Sequence, residues 1–336
     1  MPGVLGPLRP EHLASSRRAH PPDGTPMSCR ICCVGSIHMD LVVRAPRFPE
    51  CGEILMGGEF ERYPGGKGAS QAVAAGRMGA QVRMVGCLGD DSWGAAMRGV
   101  LTVEGVDIQH VRTDEKHATG VAVVTVVPGG EHSIVVAPGA NAHLMPDDLD
   151  QASGAIAEAD VLIVQAEIPV ETNLRAMEIA KNSNTAVVFN AAPAVGLDLE
   201  LLKRVDLLVV NCAEARRLVG DDEGEVAPTG LARRLASYGP DRVVITLASE
   251  GAIHFNGQEM ESFEAFEVEC VDSTAAGDAF VGALAVLRSE GARLMDAVRY
   301  ACGAGSLAAG TAGAIPSLPT RDEVDALVKP RKQATT

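Results

Sequence analysis

Val161-Leu162-Ile163-Val164-Gln165 and Ala186-Val187-Val188-Phe189-Asn190 are short apolar runs separated by Thr172–Lys181, whose pattern is helical. Strand, helix and strand at this spacing make one unit of a parallel sheet, because only a crossover brings the second strand alongside the first in the same direction. The alternation extends outward both ways. Upstream lie a strand Ile31–Ser36, a helix Ala69–Met78, a strand Val82–Cys87 and a helix Trp93–Glu104. Downstream lie a strand Leu207–Asn211, a helix near Leu231–Tyr238 and a strand Val243–Thr246. Strands this apolar are covered on both faces, so the expected fold is α/β, a three-layer α/β/α arrangement around a mostly parallel central sheet.

Two stretches break the rhythm. Leu41–Tyr63 and Thr119–Ala137 read as strands without intervening helices, the second as Val121–Val127, a Pro128-Gly129-Gly130 turn and His132–Ala137. A small β-sheet flanking the main domain is expected from about residues 40–64 and 118–137. After Gly251 a β-rich segment, Ala252–Val268, leads to a helix Asp278–Ser289 and a small-residue helix Leu294–Ala309. The proline-rich residues 1–26 have no periodic apolar face and no signal-peptide core, so a disordered tail is expected to about residue 27. Met27 directly precedes the first strand and offers a later translation start. The folded domain is expected over residues 28–330, with a short tail over 331–336.

The chain has 336 residues, 46% of them hydrophobic and 22% charged, which suits a soluble globular protein with a sizeable core. Its 29 Lys and Arg against 44 Asp and Glu give a net charge of −15, which offers no broad attraction to nucleic acid or anionic membranes. No apolar stretch reaches the roughly 18 residues of a membrane span. The eight cysteines, at 29, 32, 33, 51, 87, 212, 270 and 302, are scattered as in a protein of the reducing cytoplasm. Cys29 and Cys32 have C-x-x-C spacing but no second ligand pair, so buried free thiols are expected.

The chemistry concentrates in Cys270-Val271-Asp272-Ser273-Thr274-Ala275-Ala276-Gly277-Asp278-Ala279-Phe280, where small residues lead into a helix. Free amides at a helix N-terminus, with the positive end of its dipole, favour an anion. Asp278 in the first turn is then expected to stay ionised and to accept a hydroxyl proton, although an acidic residue there is by itself more often a plain helix cap. Tyr63-Pro64-Gly65-Gly66-Lys67-Gly68-Ala69-Ser70 is a second Gly-rich turn into a helix, and it fails the Walker A spacing because Gly68 follows Lys67 and Glu61 replaces the earlier glycine. Val34-Gly35-Ser36-Ile37-His38-Met39 lacks the spaced glycines of a dinucleotide site. Asp40, Glu167, Asn211 and Glu214 all follow strand ends, where an open α/β sheet presents its ligand crevice. Any one of them alone reads as a solvated loop residue; four together point to a site.

Taken in order, these segments resemble the motifs of the ribokinase-like (PfkB) sugar and nucleoside kinases. The matching stretches are Gly35 to Asp40, Gly65 to Gly76, Asn190-Ala191-Ala192-Pro193-Ala194, Asn211-Cys212-Ala213-Glu214, Thr246-Leu247-Ala248-Ser249-Glu250-Gly251 and Asp272 to Asp278. The resemblance spans about residues 31–328. It implies that the two interrupting stretches form a lid that also serves as a homodimer surface. It implies Asp278 as the base on the accepting hydroxyl, with the amides of Ala275, Ala276 and Gly277 as anion hole. His38, Asp40, Gly66, Lys67, Gly68, Ser70 and Glu167 match sugar-contacting positions. Asn211 and Glu214 resemble the motif that organises Mg²⁺, Glu214 indirectly, and ATP phosphates; Thr246 to Gly251, Gly277 and Cys302 match nucleotide contacts. Asp272, Thr274, Ala308, Thr311, Gly313 and Ser317 match a K⁺ loop beside the anion hole.

Three positions depart from the family's ribose-specific members. His38 and Ser70 stand where those usually carry Asn, and Cys302 replaces a polar residue near the adenine. The implied activity is ATP-dependent phosphorylation of a primary hydroxyl, with D-ribose as leading acceptor and another sugar or a nucleoside as the alternative. A catalytically silent sugar-binding protein is the rival from another class, and the intact Asp278 speaks against it.

Overall fold

The structure, a computed structural model, describes residues 29–128 and 131–328. The two expected tails, the end of the domain at residue 330 and the turn glycines Gly129 and Gly130 lie outside the described residues. In chain order the strands are β1 (Arg30–Val34), β2 (His38–Arg44), β3 (Phe60–Gly65), β4 (Gln81–Gly89), β5 (Asp107–Asp114), β6 (Gly120–Val126), β7 (His132–Ala137), β8 (Val161–Gln165), β9 (Ala186–Asn190), β10 (Leu207–Asn211), β11 (Arg242–Thr246), β12 (Ala252–Phe255) and β13 (Met260–Phe263). Nine of them form one sheet in the order β13-β12-β11-β10-β9-β8-β1-β4-β5, parallel from β11 to β5, with β12 and β13 added antiparallel at one edge.

Successive side chains of a strand face opposite ways, and here both faces are covered. Ile31 and Cys33 of β1 join Met84, Ile163, Phe280 and Leu284 in one apolar cluster, while Cys32 and Val34 join Leu162, Val164, Phe189 and Leu208 in the other. That two-sided burial is why these strands read as unbroken apolar runs. The first cluster is closed by helices Lys67–Arg77, Ala276–Ser289 and Leu294–Ala309, the second by Val170–Ser183, Cys212–Val219 and Pro228–Ser237. Of the eight free cysteines, Cys29 and Cys32 are buried as expected, Cys33, Cys87 and Cys302 are buried too, Cys212 is half-buried, and Cys51 and Cys270 are exposed. No helix among the described residues is long and apolar enough to cross a membrane.

Strand β1 has β8 on one side and β4 on the other, so the chain runs off in opposite directions there and a crevice opens at the carboxyl ends of β1 and β8. Three residues after β1 the chain enters the second sheet, ordered β3-β2-β6-β7. Asn141, fully buried, pins this crossing: its Oδ1 accepts the Ile37 N–H at 2.9 Å and its Nδ2 donates to Ile37 O at 2.9 Å. In the small sheet, Phe60 of β3, Val123 of β6 and Ile134, Val135 and Val136 of β7 are exposed.

Some elements differ from the sequence reading. Strand β5 was not expected, because an edge strand reading Asp-Ile-Gln-His-Val-Arg-Thr-Asp is half polar and lacks the apolar run of its neighbours. Residues 45–59 hold no strand, and the β-rich segment after Gly251 ends at Phe263. The short helices Pro146–Gln151, Ser153–Ala157 and Arg321–Val328 escape periodicity because two turns or fewer give no pattern to count.

Candidate active site

His38 opens β2, and Asp40, two residues on, shares its face of the strand. Glu167 comes from the other wall, just beyond β8. The His38 ring lies between them, Nε2 at 3.2 Å from Glu167 Oε2 and Nδ1 at 3.6 Å from Asp40 Oδ1. Burial would discharge the imidazole, but the two carboxylates outweigh it and push its pKa up to about 9. Burial likewise opposes a charge on Glu167, yet His38, Lys67 and the Ser36 hydroxyl hold it down at about 2. The pair is therefore ionic at neutral pH. Glu167 also accepts the Ser36 hydroxyl and, at 3.2 Å, the Lys67 backbone N–H.

The helix that starts at Lys67 lies directly on the loop after β1. A Cβ on Gly68 would stand 2.6 Å from the backbone of Gly35 and Ser36, and Gly66 takes a φ of +95°, so glycine is required at both. This contact brings Ser70 to the junction. His38 Nδ1 and Asp40 Oδ1 form an ion pair at 3.6 Å without a hydrogen bond, and Ser70 Oγ is likewise buried without a hydrogen-bond partner. Native proteins rarely leave such atoms orphaned, since each costs about 1–3 kcal/mol. A ligand bearing hydroxyls would satisfy all three.

Asp278 stands in the first turn of Ala276–Ser289, only 7% exposed. Burial opposes its charge and pushes its pKa up to about 6. Lys67 and the Gln71 amide restrain that rise, whereas Glu167 and Asp40 add to it. The group is ionised at neutral pH and is a usable base. Of the three amides expected to form an anion hole, Ala276 is already engaged, donating to Ser273 O at 3.2 Å in the turn that starts the helix. Among the described residues the Ala275 and Gly277 amides have no protein acceptor, and beside Gly277 there is open space.

Lys67 links the two halves of the crevice: burial would lower its pKa, but Asp278, Glu167, Glu214 and Asp40 all raise it and keep it cationic. On the far side Asn211 and Glu214 cap the helix Cys212–Val219 reciprocally, each side chain accepting the other's backbone N–H at 2.8 Å. Burial raises the Glu214 pKa against that bond and Lys67. Thr246 pairs with Asn211 across β10 and β11. The turn Ala248–Glu250 follows, closed by Leu247 N–H to Gly251 O at 2.7 Å, with Ser249 and Glu250 exposed. Cys302 is different. It is 4% exposed within the apolar cluster, with its thiol pushed up to about 12 by burial, so it supplies an apolar wall and no polar contact.

Asp272 organises the loop before Asp278. Its Oδ1 accepts the Thr274 hydroxyl and backbone N–H, its Oδ2 the Gly313 N–H at 2.9 Å, while the N–H groups of Val271 and Asp272 both reach Ala309 O. Burial opposes its charge, but the bonds from Thr274 and Gly313 lower its pKa overall. Ala308 and Thr311 share a turn at the end of Leu294–Ala309, and the Ser317 hydroxyl donates to Ala314 O at 2.8 Å in a separate turn. No group of three or more His, Cys, Asp or Glu placed to hold a metal occurs among the described residues, so a divalent ion would rely on a substrate's phosphates.

Sequence reading gave no role to Gln71, although its amide donates to Asp278 Oδ1 at 2.8 Å. The available signal was a glutamine on a helix face otherwise built of Ala and Val. Asn141 gave no signal, since it acts on backbone far away in the chain.

Residues 29–321 match the family described as pfkB family carbohydrate kinase. The chain is 38% identical over 294 residues to the ribokinase of Haemophilus influenzae, covering 86% of this chain and 95% of that one. Among solved structures it is similar to the ribokinase of Thermotoga maritima, with a TM-score of 0.81 and 35% identity over 90% of this chain and 100% of that one. It is also similar to an Arabidopsis thaliana ribokinase complexed with ribose and ATP, with a TM-score of 0.82 and 29% identity over 90% and 99% of the two chains.

Proposed function

Because the chain belongs to the pfkB family of carbohydrate kinases, phosphotransferases that act on an alcohol group, we propose that it transfers the γ-phosphoryl of ATP to the primary hydroxyl of D-ribose. The observation that carries this reading is the buried ionised Asp278 and the Lys67 cation beside a His38–Asp40 ion pair and a Ser70 hydroxyl whose buried polar atoms lack hydrogen bonds. His38, Asp40, Ser70, Glu167 and the Gly66–Gly68 backbone hold the sugar. The Asp278 carboxylate takes the proton as the hydroxyl oxygen bonds to the γ-phosphorus and the bond to the ADP oxygen breaks. The free amides of Ala275 and Gly277, with Lys67, stabilise the charge on the moving phosphoryl. Asn211, Glu214 and the Thr246–Gly251 turn place the nucleotide; Glu214 would help to hold Mg²⁺, which would neutralise phosphate charge. The Asp272 loop takes K⁺, which would order the segment shaping the anion hole.

The small sheet acts as a lid that excludes water from the transfer, and its face bearing the exposed Phe60, Val123 and Val135 pairs two copies in a homodimer. A cytoplasmic setting fits the substrates and the free cysteines. A second reading, another sugar or a nucleoside as acceptor, is favoured by one observation: a charged His38 and a short Ser70 occupy the hydroxyl-reading positions. Release of ADP measured over a panel of pentoses, hexoses and nucleosides tests both. Highest kcat/KM with ribose supports the first; a better nucleoside or hexose replaces it with the second; no acceptor-dependent release refutes kinase activity.

A further inference from the structure

We propose that Gln71 is a positioning residue for the transfer, its side-chain amide fixing which oxygen of Asp278 meets the acceptor hydroxyl. The proposal rests on Asp278 being the base. Both protons of Gln71 Nε2 are committed, one to Asp278 Oδ1 at 2.8 Å and one to Asn190 Oδ1 at 3.0 Å, and its Oε1 accepts from Gln165 Nε2 at 2.7 Å. Gln71 and Gln165 are fully buried, and Asn190 and Asp278 are nearly so.

This amide has one workable orientation. Turned over, its carbonyl would face the Asp278 carboxylate and its NH₂ would face that of Gln165. The neighbours are fixed in turn. Asn190 Nδ2 donates to Val209 O at 3.1 Å, Gln165 Nε2 stands 3.5 Å from Cys33 Sγ, and the Gln165 backbone carbonyl accepts Asn173 Nδ2 at 2.7 Å. A chain of amides thus ties the ends of β8 and β9 and the helix Lys67–Arg77 to the first turn of Ala276–Ser289. It holds Asp278 Oδ1 with a neutral donor and leaves Oδ2 for the incoming hydroxyl.

The groups facing Asp278 from the packed elements are Lys67 on the helix of Gln71, Asp40 on β2, Glu167 beyond β8 and the Cys33 thiol on β1. Lys67 acts on both oxygens as a charge. Among the described residues only Gln71 donates a side-chain hydrogen bond to one of them. A donor to the carboxylate favours its charged form, so losing it should leave the base protonated to higher pH.

The test is the pH profile of kcat for Gln71→Met, which keeps the length and removes the donor. The acid limb should move up by about one pH unit, so that kcat falls about fivefold at pH 6 and recovers by pH 9, with both KM values within about twofold of wild type. Gln165→Met, which removes the partner orienting Gln71, should move the limb the same way by less, and it decides the matter should Gln71→Met fail to fold. An unmoved limb, or an equal loss at every pH, overturns the proposal. Asp278→Asn in the same assay separates the two claims: if it remains active the assignment of the base fails, whereas if it is inactive and the Gln71→Met limb is unmoved, only the role of Gln71 fails.

Discussion

Nε2 of His38 lies 3.2 Å from Oε2 of Glu167, and both side chains are buried. The His38 pKa is raised from 6.5 to about 9, so the stability it contributes is present below pH 6.5 and is lost as pH rises through 9. The Glu167 pKa is lowered from 4.5 to about 2, so its contribution is present above pH 4.5 and is lost as pH falls through 2. Wild-type protein should therefore lose melting temperature between pH 7 and 9. His38→Asn should be less stable at pH 7, by roughly 3–5 kcal/mol if nothing replaces the lost charge, and flatter over that range. Parallel melting curves for the two proteins would show that His38 is neutral.

Asp278 runs opposite to Glu167 and in the same direction as His38. Its pKa rises from 3.8 to about 6, so the folded state holds the proton more tightly and stability falls as pH climbs across that interval. Asp278→Asn keeps an oxygen for the Gln71 amide and removes the buried charge. It should melt higher than wild type at pH 8, by an amount on the order of 2 kcal/mol in stability, and the advantage should vanish at pH 4. Calorimetry at the two pH values checks this, and an Asp278→Asn protein less stable at pH 8 contradicts it.

Replacing Na⁺ by K⁺ at constant ionic strength should raise kcat/KM severalfold. Asp272, tied to Thr274 and Gly313, shapes the loop that leads to the amides of Ala275 and Gly277. In Asp272→Asn the preference for K⁺ should shrink. Equal rates in both salts over a wide concentration range would remove the cation from this loop.

The central sheet was legible because strands buried on both faces leave continuous apolar runs: Val161–Gln165, Ala186–Asn190 and Leu207–Asn211 have the boundaries read from sequence. Strand β5 was hidden because one side of an edge strand meets water. In the site, Asp40, Glu167 and Asp278 were legible from their places after strands or at a helix start. Sequence does not reveal that Ala276, one of the three amides expected to form an anion hole, donates to Ser273 O. Gln71 was silent for a similar reason: a buried amide acquires its role only from partners 94, 119 and 207 residues away.

Acceptor choice should follow His38 and Ser70. A polar group left unpaired in a buried site costs about 1–3 kcal/mol, so a mismatched hydroxyl pattern changes kcat/KM by roughly one to two orders of magnitude. His38→Asn combined with Ser70→Asn should raise kcat/KM for ribose relative to any better acceptor, mostly through KM, because neither side chain touches the moving phosphoryl. If ribose is already the best acceptor and the double change weakens it, His38 and Ser70 are this protein's own means of holding ribose.

The most direct test of the account is the turnover of Asp278→Asn with saturating ribose and ATP, with ribose affinity measured on the same protein by calorimetry. The carboxylate is buried, ionised above about pH 6 and held at one oxygen by Gln71. Its loss should lower kcat by at least about 10²-fold while the dissociation constant for ribose stays within about threefold of wild type. A kcat near the wild-type value would contradict the assignment of Asp278 as the base and, with it, the mechanism built on this crevice.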